Sequence, residues 1–134
     1  MSRAVLFVCE HGSAKSVLAA TYFNQLAEQR GLAARGVARG INPDAELPPG
    51  VVAGLARAGL SPCLATPVAL SDRDLDSAAW IVCFDQAEVA ERAPTGTPLH
   101  AWDGLPPVSA DFERASAAIA ERVALVVEAL EKEA

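Results

Sequence analysis

The chain has 134 residues, 51% of them hydrophobic and 21% charged, which suits one domain with one core over residues 1–134 and excludes a disordered chain. A formal net charge of −6 gives no general attraction to nucleic acid or to an anionic membrane, so any anion site has to be built locally. No window is long or apolar enough for a membrane span. Without an export signal, the three cysteines read as free thiols in a reducing cytoplasm. With no Cys-x-x-Cys pair and only two histidines, neither a metal site nor a cofactor is expected.

Residues 4–8, "AVLFV", form an unbroken apolar run of the kind found in a strand buried on both faces. Residues 16–29 carry Ala19, Phe23 and Leu26 at helical spacing, and Gly31 ends the pattern. Residues 33–38 read as a second strand. The turn-rich "RGINPDAELPPG" reads as a loop, and residues 49–58 as a helix stopped by Gly59. Ser71 and Asp74 stand at capping-box spacing and open a short helix. A third strand follows at 79–84, then a helix at 85–92 halted by Pro94, and a short strand at 98–102. From about residue 109 the chain is helical, with Phe112, Ile119, Val123, Val126 and Leu130 on one face.

Alternating strands and helices imply a parallel sheet covered on both faces. Ligands of such sheets bind beyond the carboxyl ends of the strands, where strand order reverses. Cys9, Asp85 and Asp103 stand just past three of those ends, so the fold can bring them together.

The loop "CEHGSAKS", residues 9–16, joins the first strand to the first helix. Backbone N–H groups and a helix N-terminus together form a cradle for an anion. Gly12 allows a left-handed or close-approach backbone, Lys15 adds positive charge, and Ser16 can donate a hydrogen bond to sulfur. A cysteine closing an apolar strand is often only a small buried hydrophobe. The polar residues that follow Cys9 favour instead a nucleophile facing a phosphate-sized oxyanion. Cys63, His100 and His11 have plain readings as loop or strand-end residues, with His11 equally suited to the rim of the site.

These residues resemble the low-molecular-weight protein tyrosine phosphatases and the thioredoxin-coupled arsenate reductases that share their fold. The family loop is Cys, five residues, Arg, Ser or Thr; here it is Cys9, five residues, Lys15, Ser16. "LSDRDLDSAAWIVCFD" resembles the family's capped helix and third strand, and "AWDGLPPVSADFERASAAIAERVALVVEAL" its acid loop and last helix. The resemblance implies a three-layer α/β fold with a four-stranded parallel sheet in the order 2-1-3-4. It implies that Cys9 attacks phosphorus and that the amides of Glu10, His11, Gly12, Ser13, Ala14 and Lys15 hold the oxyanion. Ser16 would stabilise the sulfur anion, and a late-loop aspartate would serve as general acid.

Two positions depart from that pattern. Lys15 replaces an arginine, so charge is kept without a planar fork. The family's Asp-Pro falls on Pro106-Pro107, leaving Asp103 as the candidate acid. The resemblance therefore implies hydrolysis of a phosphomonoester through a cysteinyl-phosphate on Cys9. An arsenate-reductase-like protein is the alternative, with Cys83 as a possible redox thiol and a small-molecule thiol or thioredoxin as partner. A catalytically weakened oxyanion-binding regulatory domain is the third reading. Each takes a small oxyanion or phosphorylated substrate.

Overall fold

The computed structural model describes residues 3–133. Its elements run β1 Arg3–Cys9, α1 Lys15–Gln29, β2 Ala34–Gly40, α2 Pro49–Arg57, α3 Asp72–Ser77, β3 Ala78–Cys83, α4 Glu88–Arg92, β4 Leu99–Ala101 and α5 Phe112–Glu133. The four strands form one sheet in the order β2-β1-β3-β4, and each neighbouring pair is parallel. Both the expected strand order and the expected layering are found.

β1 lies at the centre and alternates between two cores. Val5, Phe7 and Cys9 join the larger cluster with residues of α1, α2 and α5. Leu6 and Val8 join the smaller one with Leu75 of α3 and Val89 of α4. A strand apolar on both faces has to be an unbroken apolar run, which is why "AVLFV" shows no alternation. α5 brings Ile119, Val123, Val127 and Leu130 to the larger core, all almost fully buried. The capping box of α3 is made as expected: Ser71 Oγ accepts from the Asp74 amide, and the Asp74 carboxylate accepts from the Ser71 amide.

Boundaries differ from expectation in two informative places. The helix expected over 85–92 is confined to Glu88–Arg92. Asp85 has φ +58°, a left-handed conformation that no α-helix continues through, so the chain must turn before α4 begins. The last helix begins at Phe112 rather than 109, because the amides of Ala110 and Asp111 both donate to the Pro107 carbonyl in a separate turn.

Candidate active site

The carboxyl ends of β1 and β3 open into a cleft of about 360 Å³. Cys9, Glu10, His11, Ser13, Ala14 and Lys15 line one side. Phe84, Asp85, Pro107 and Val108 face them. Six of the residues singled out in the sequence therefore share one wall.

Cys9 lies on the floor, 8% exposed, with its sulfur 3.0 Å from the Ser16 hydroxyl. Ser16 is fully buried in the first turn of α1. No side chain caps this helix, and its first turn holds no acidic residue. Among the described residues, the backbone N–H groups of Glu10, His11, Gly12, Ser13 and Ala14 donate to no protein acceptor. A helix N-terminus and a run of unpaired amides beside a sulfur form an anion-binding concavity.

The loop is braced from behind by the segment after β2, which the sequence marks only as a turn-rich loop. The amides of Ile41, Asn42 and Asp44 donate to the carbonyls of Cys9, Glu10 and His11 at 3.1, 2.7 and 3.1 Å. Ser13 Oγ donates to Asp44 Oδ2 at 2.8 Å, and Asn42 Nδ2 donates to Glu10 Oε1 at 2.8 Å. Each carbonyl tied backward leaves its peptide N–H unclaimed for the cleft. The Glu10 carboxylate is likewise turned toward Asn42. His11 is exposed at the rim, 3.5 Å from Asp44. Gly12, with φ +61°, meets Gly40 backbone to backbone, and a Cβ on Gly12 would lie 2.7 Å from the Gly40 nitrogen. Gly40, Asn42 and Asp44 thus hold the loop in place, which the sequence does not announce. The nearest signal is the Asn-Pro-Asp turn chemistry directly after β2.

Lys15 is the first residue of α1. Its ammonium donates to Asp85 Oδ2 at 3.4 Å and to the Leu105 carbonyl at 3.5 Å. Asp85 is itself held on two sides: its amide donates to Asp103 Oδ1 at 2.9 Å, and its Oδ1 accepts from the Gly104 amide at 3.2 Å. Cys9, Asp85 and Asp103 do gather at one sheet edge. Of the two carboxylates, only Asp85 lines the cleft; Asp103 faces the Asp85 amide outside the lining. Of the two prolines that stand in place of the expected Asp-Pro, Pro107 lines the cleft and Pro106 does not.

Cys83 ends β3 on the other face of the sheet, in the smaller core with Leu6 and Val8, whereas Cys9 belongs to the larger one. Burial pushes the Cys83 thiol up, and the Asp103 charge adds to the rise. The Cys63 thiol is also raised by burial, opposed by a hydrogen bond from Thr21. His100 is exposed and stacks on Trp80 with ring centroids 4.8 Å apart, away from the cleft. Among the described residues, no group of three or more His, Cys, Asp or Glu side chains could hold a metal ion. No helix there is long and apolar enough to cross a membrane.

The family profile described as "Low molecular weight phosphotyrosine protein phosphatase" matches residues 4–101, from β1 through β4. The chain belongs to this family. An arsenate reductase from Archaeoglobus fulgidus is 29% identical, with 92% of this chain and 98% of that chain covered and a TM-score of 0.74. YfkJ from Bacillus subtilis superposes with a TM-score of 0.84 at 22% identity, covering 99% of this chain and 97% of that one. A thioredoxin-dependent arsenate reductase from Corynebacterium glutamicum gives a TM-score of 0.81 at 19% identity. There the match covers 99% of this chain but 64% of the longer protein. No curated protein matches the sequence. Phosphatase family and arsenate reductase neighbours thus share one fold with this chain.

Proposed function

We propose that the protein hydrolyses phosphomonoesters through a covalent intermediate on Cys9. The observation that carries this reading is the Cys9 sulfur 3.0 Å from Ser16, beneath amides with no protein acceptor. The Cys9 sulfur anion attacks phosphorus, and the bond to the leaving oxygen breaks. The amides from Glu10 to Lys15 hold the non-bridging oxygens, and Ser16 donates to the sulfur as it leaves in the second step. Water then attacks the cysteinyl-phosphate, releasing phosphate and restoring Cys9. Asp85 is engaged by Lys15 and Gly104, and Asp103 accepts from the Asp85 amide outside the cleft lining, so the site offers no ready general acid. General acid catalysis contributes about 10²–10⁴ in rate, so the substrates served best are those with easily expelled leaving groups.

Arsenate is the second candidate oxyanion, favoured by the same lack of an acid and by the 29% identity to an arsenate reductase. Cys83 lies across the sheet from Cys9, so an adduct on Cys9 would be resolved by an external thiol, either a small molecule or thioredoxin.

The deciding experiment mixes the protein with an aryl phosphate and, separately, with arsenate and a thiol. Rapid acid quench and mass spectrometry then follow the Cys9 peptide. A phosphorylated Cys9 peptide, lost in Cys9→Ser, is expected. Turnover of arsenate alone moves the assignment to reduction. Phosphate binding without turnover of either leaves an oxyanion-binding domain.

A further inference from the structure

Asp85 is an exposed non-glycine residue at φ +58°, a conformation that carries a modest backbone cost even for aspartate. Two hydrogen bonds from the segment after β4 fix it there, through the Asp103 carboxylate and the Gly104 amide. The result is a carboxylate 3.4 Å from the Lys15 ammonium, in the wall opposite Cys9. Glu10, Asp44 and Asp85 together set three carboxylates around this cleft, against one lysine and one histidine. A cleft read simply as an anion cradle has no use for that balance. A doubly charged oxyanion would meet Lys15 already paired with Asp85, and the Glu10 and Asp44 carboxylates besides. A singly charged one meets half the repulsion, while the loop amides hold its oxygens equally well.

We infer that Asp85 is a specificity-determining residue, which makes the cleft select a singly charged tetrahedral oxyanion over a doubly charged one. The inference rests on the reading of residues 9–16 as an oxyanion loop. It also accounts for a proline, Pro106, at the position expected for the acid, with Pro107 beside it in the cleft lining. A phosphomonoester monoanion carries its own proton on a phosphoryl oxygen. When the Cys9 sulfur anion attacks the monoanion, that proton passes to the leaving oxygen as the P–O bond breaks. The products are the cysteinyl-phosphate dianion and a neutral alcohol, so two negative charges enter and two remain. No side-chain acid is needed in that step. The selected charge state of the substrate supplies the proton that Pro106 and Pro107 cannot.

Perchlorate and sulfate test this directly, since both are tetrahedral and their charges, one and two, stay fixed near neutral pH. Each is titrated at constant ionic strength against alkylation of Cys9 by iodoacetamide, read on the Cys9 peptide by mass spectrometry. The proteins compared are the wild type, Asp85→Asn and Asp85→Gly, two replacements that accept a left-handed backbone. The wild type is expected to bind perchlorate more tightly than sulfate, against the order that charge alone would give. Both variants should gain about tenfold for sulfate and about threefold for perchlorate, because the relief of repulsion scales with the anion's charge. Equal gains for the two anions, or no gain, with both still protecting Cys9, overturn the charge selection and leave the anion loop standing. If neither anion protects Cys9 in any of the three proteins, the anion loop itself is overturned.

Discussion

Gly12 and Gly40 meet backbone against backbone, and neither has room for a side chain. An ideal Cβ on Gly40 would fall 2.5 Å from the Gly12 nitrogen, and one on Gly12 would fall 2.7 Å from the Gly40 nitrogen. The close approach lets the segment after β2 reach the carbonyls of Cys9, Glu10 and His11, and so aims the loop amides forward. Gly12→Ala adds left-handed strain to the clash, whereas Gly40→Ala adds the clash alone. Each is expected to cost about 1–3 kcal/mol and to weaken phosphate binding. Because the two act on one contact, the double variant should cost less than the sum. Thermal melts with and without phosphate check this. A Gly40→Ala protein with unchanged melting and phosphate response would show that the contact is not needed.

The Ser16 hydroxyl is the polar side chain hydrogen-bonded to the Cys9 sulfur, and both groups are buried. A hydrogen bond to a charged partner contributes about 1.5–3 kcal/mol. Ser16→Ala should therefore slow alkylation of Cys9 by about tenfold or more at neutral pH, while phosphate affinity falls much less. Ser16→Thr keeps a hydroxyl and should recover most of the rate. An alanine variant alkylated as fast as the wild type would remove Ser16 from any role at the sulfur.

Much of this architecture was legible in the sequence because it is written in local patterns. The apolar run of β1, the glycine after α1 and the Ser71–Asp74 cap each follow from short-range chemistry. The candidate loop was legible for the same reason, since Cys9 to Ser16 are contiguous. The bracing was not. Ser13 and Asp44 are 31 residues apart, and Lys15 and Asp85 are 70 apart. Nothing in either segment announces the other. The left-handed turn at Asp85 was hidden too, because its support comes from Asp103 and Gly104, and the sequence around 85–92 reads as an ordinary helix.

The Cys83 thiol gives a dependence of stability on pH whose sign is fixed. Burial raises it in the folded protein above the ordinary thiol value of 9.0, with the Asp103 charge adding to the rise. The folded state therefore holds its proton more tightly than the unfolded chain. That stabilisation is complete below the unfolded value and is lost as pH rises through the folded one. Chemical denaturation from pH 7 to 10.5 should show stability falling above about pH 9, the unfolded thiol's range. Cys63, also raised by burial, contributes with the same sign. Cys83→Ala should flatten part of the alkaline decline although it costs stability at pH 7 through a small cavity. An identical slope in the variant would assign the decline to other groups.

Lys15 donates to Asp85 and to the Leu105 carbonyl with a single ammonium. Its third N–H is the one left for an oxyanion over Cys9. A guanidinium has five N–H donors in a fixed fork, enough to keep Asp85 and grip two substrate oxygens together. Lys15→Arg is therefore expected to raise kcat/KM on an aryl phosphate by about tenfold, part of the 10²–10³ that an oxyanion clamp supplies. Lys15→Ala should lower both phosphate affinity and Cys9 reactivity. An ester with a poor leaving group should gain less from Lys15→Arg alone, since there the leaving oxygen relies on the proton the substrate itself brings and not on the clamp. Adding Pro106→Asp should then help that ester most, by placing a carboxylic acid in the loop. The measurement is kcat/KM for good and poor leaving groups across the wild type, the two single variants and the Lys15→Arg/Pro106→Asp pair. Lys15→Ala binding phosphate as well as the wild type would show that the ammonium does not serve the anion. A folded Lys15→Arg protein less active on every ester would show that the site is shaped for a chemistry other than monoester hydrolysis, with arsenate the first oxyanion to test in its place.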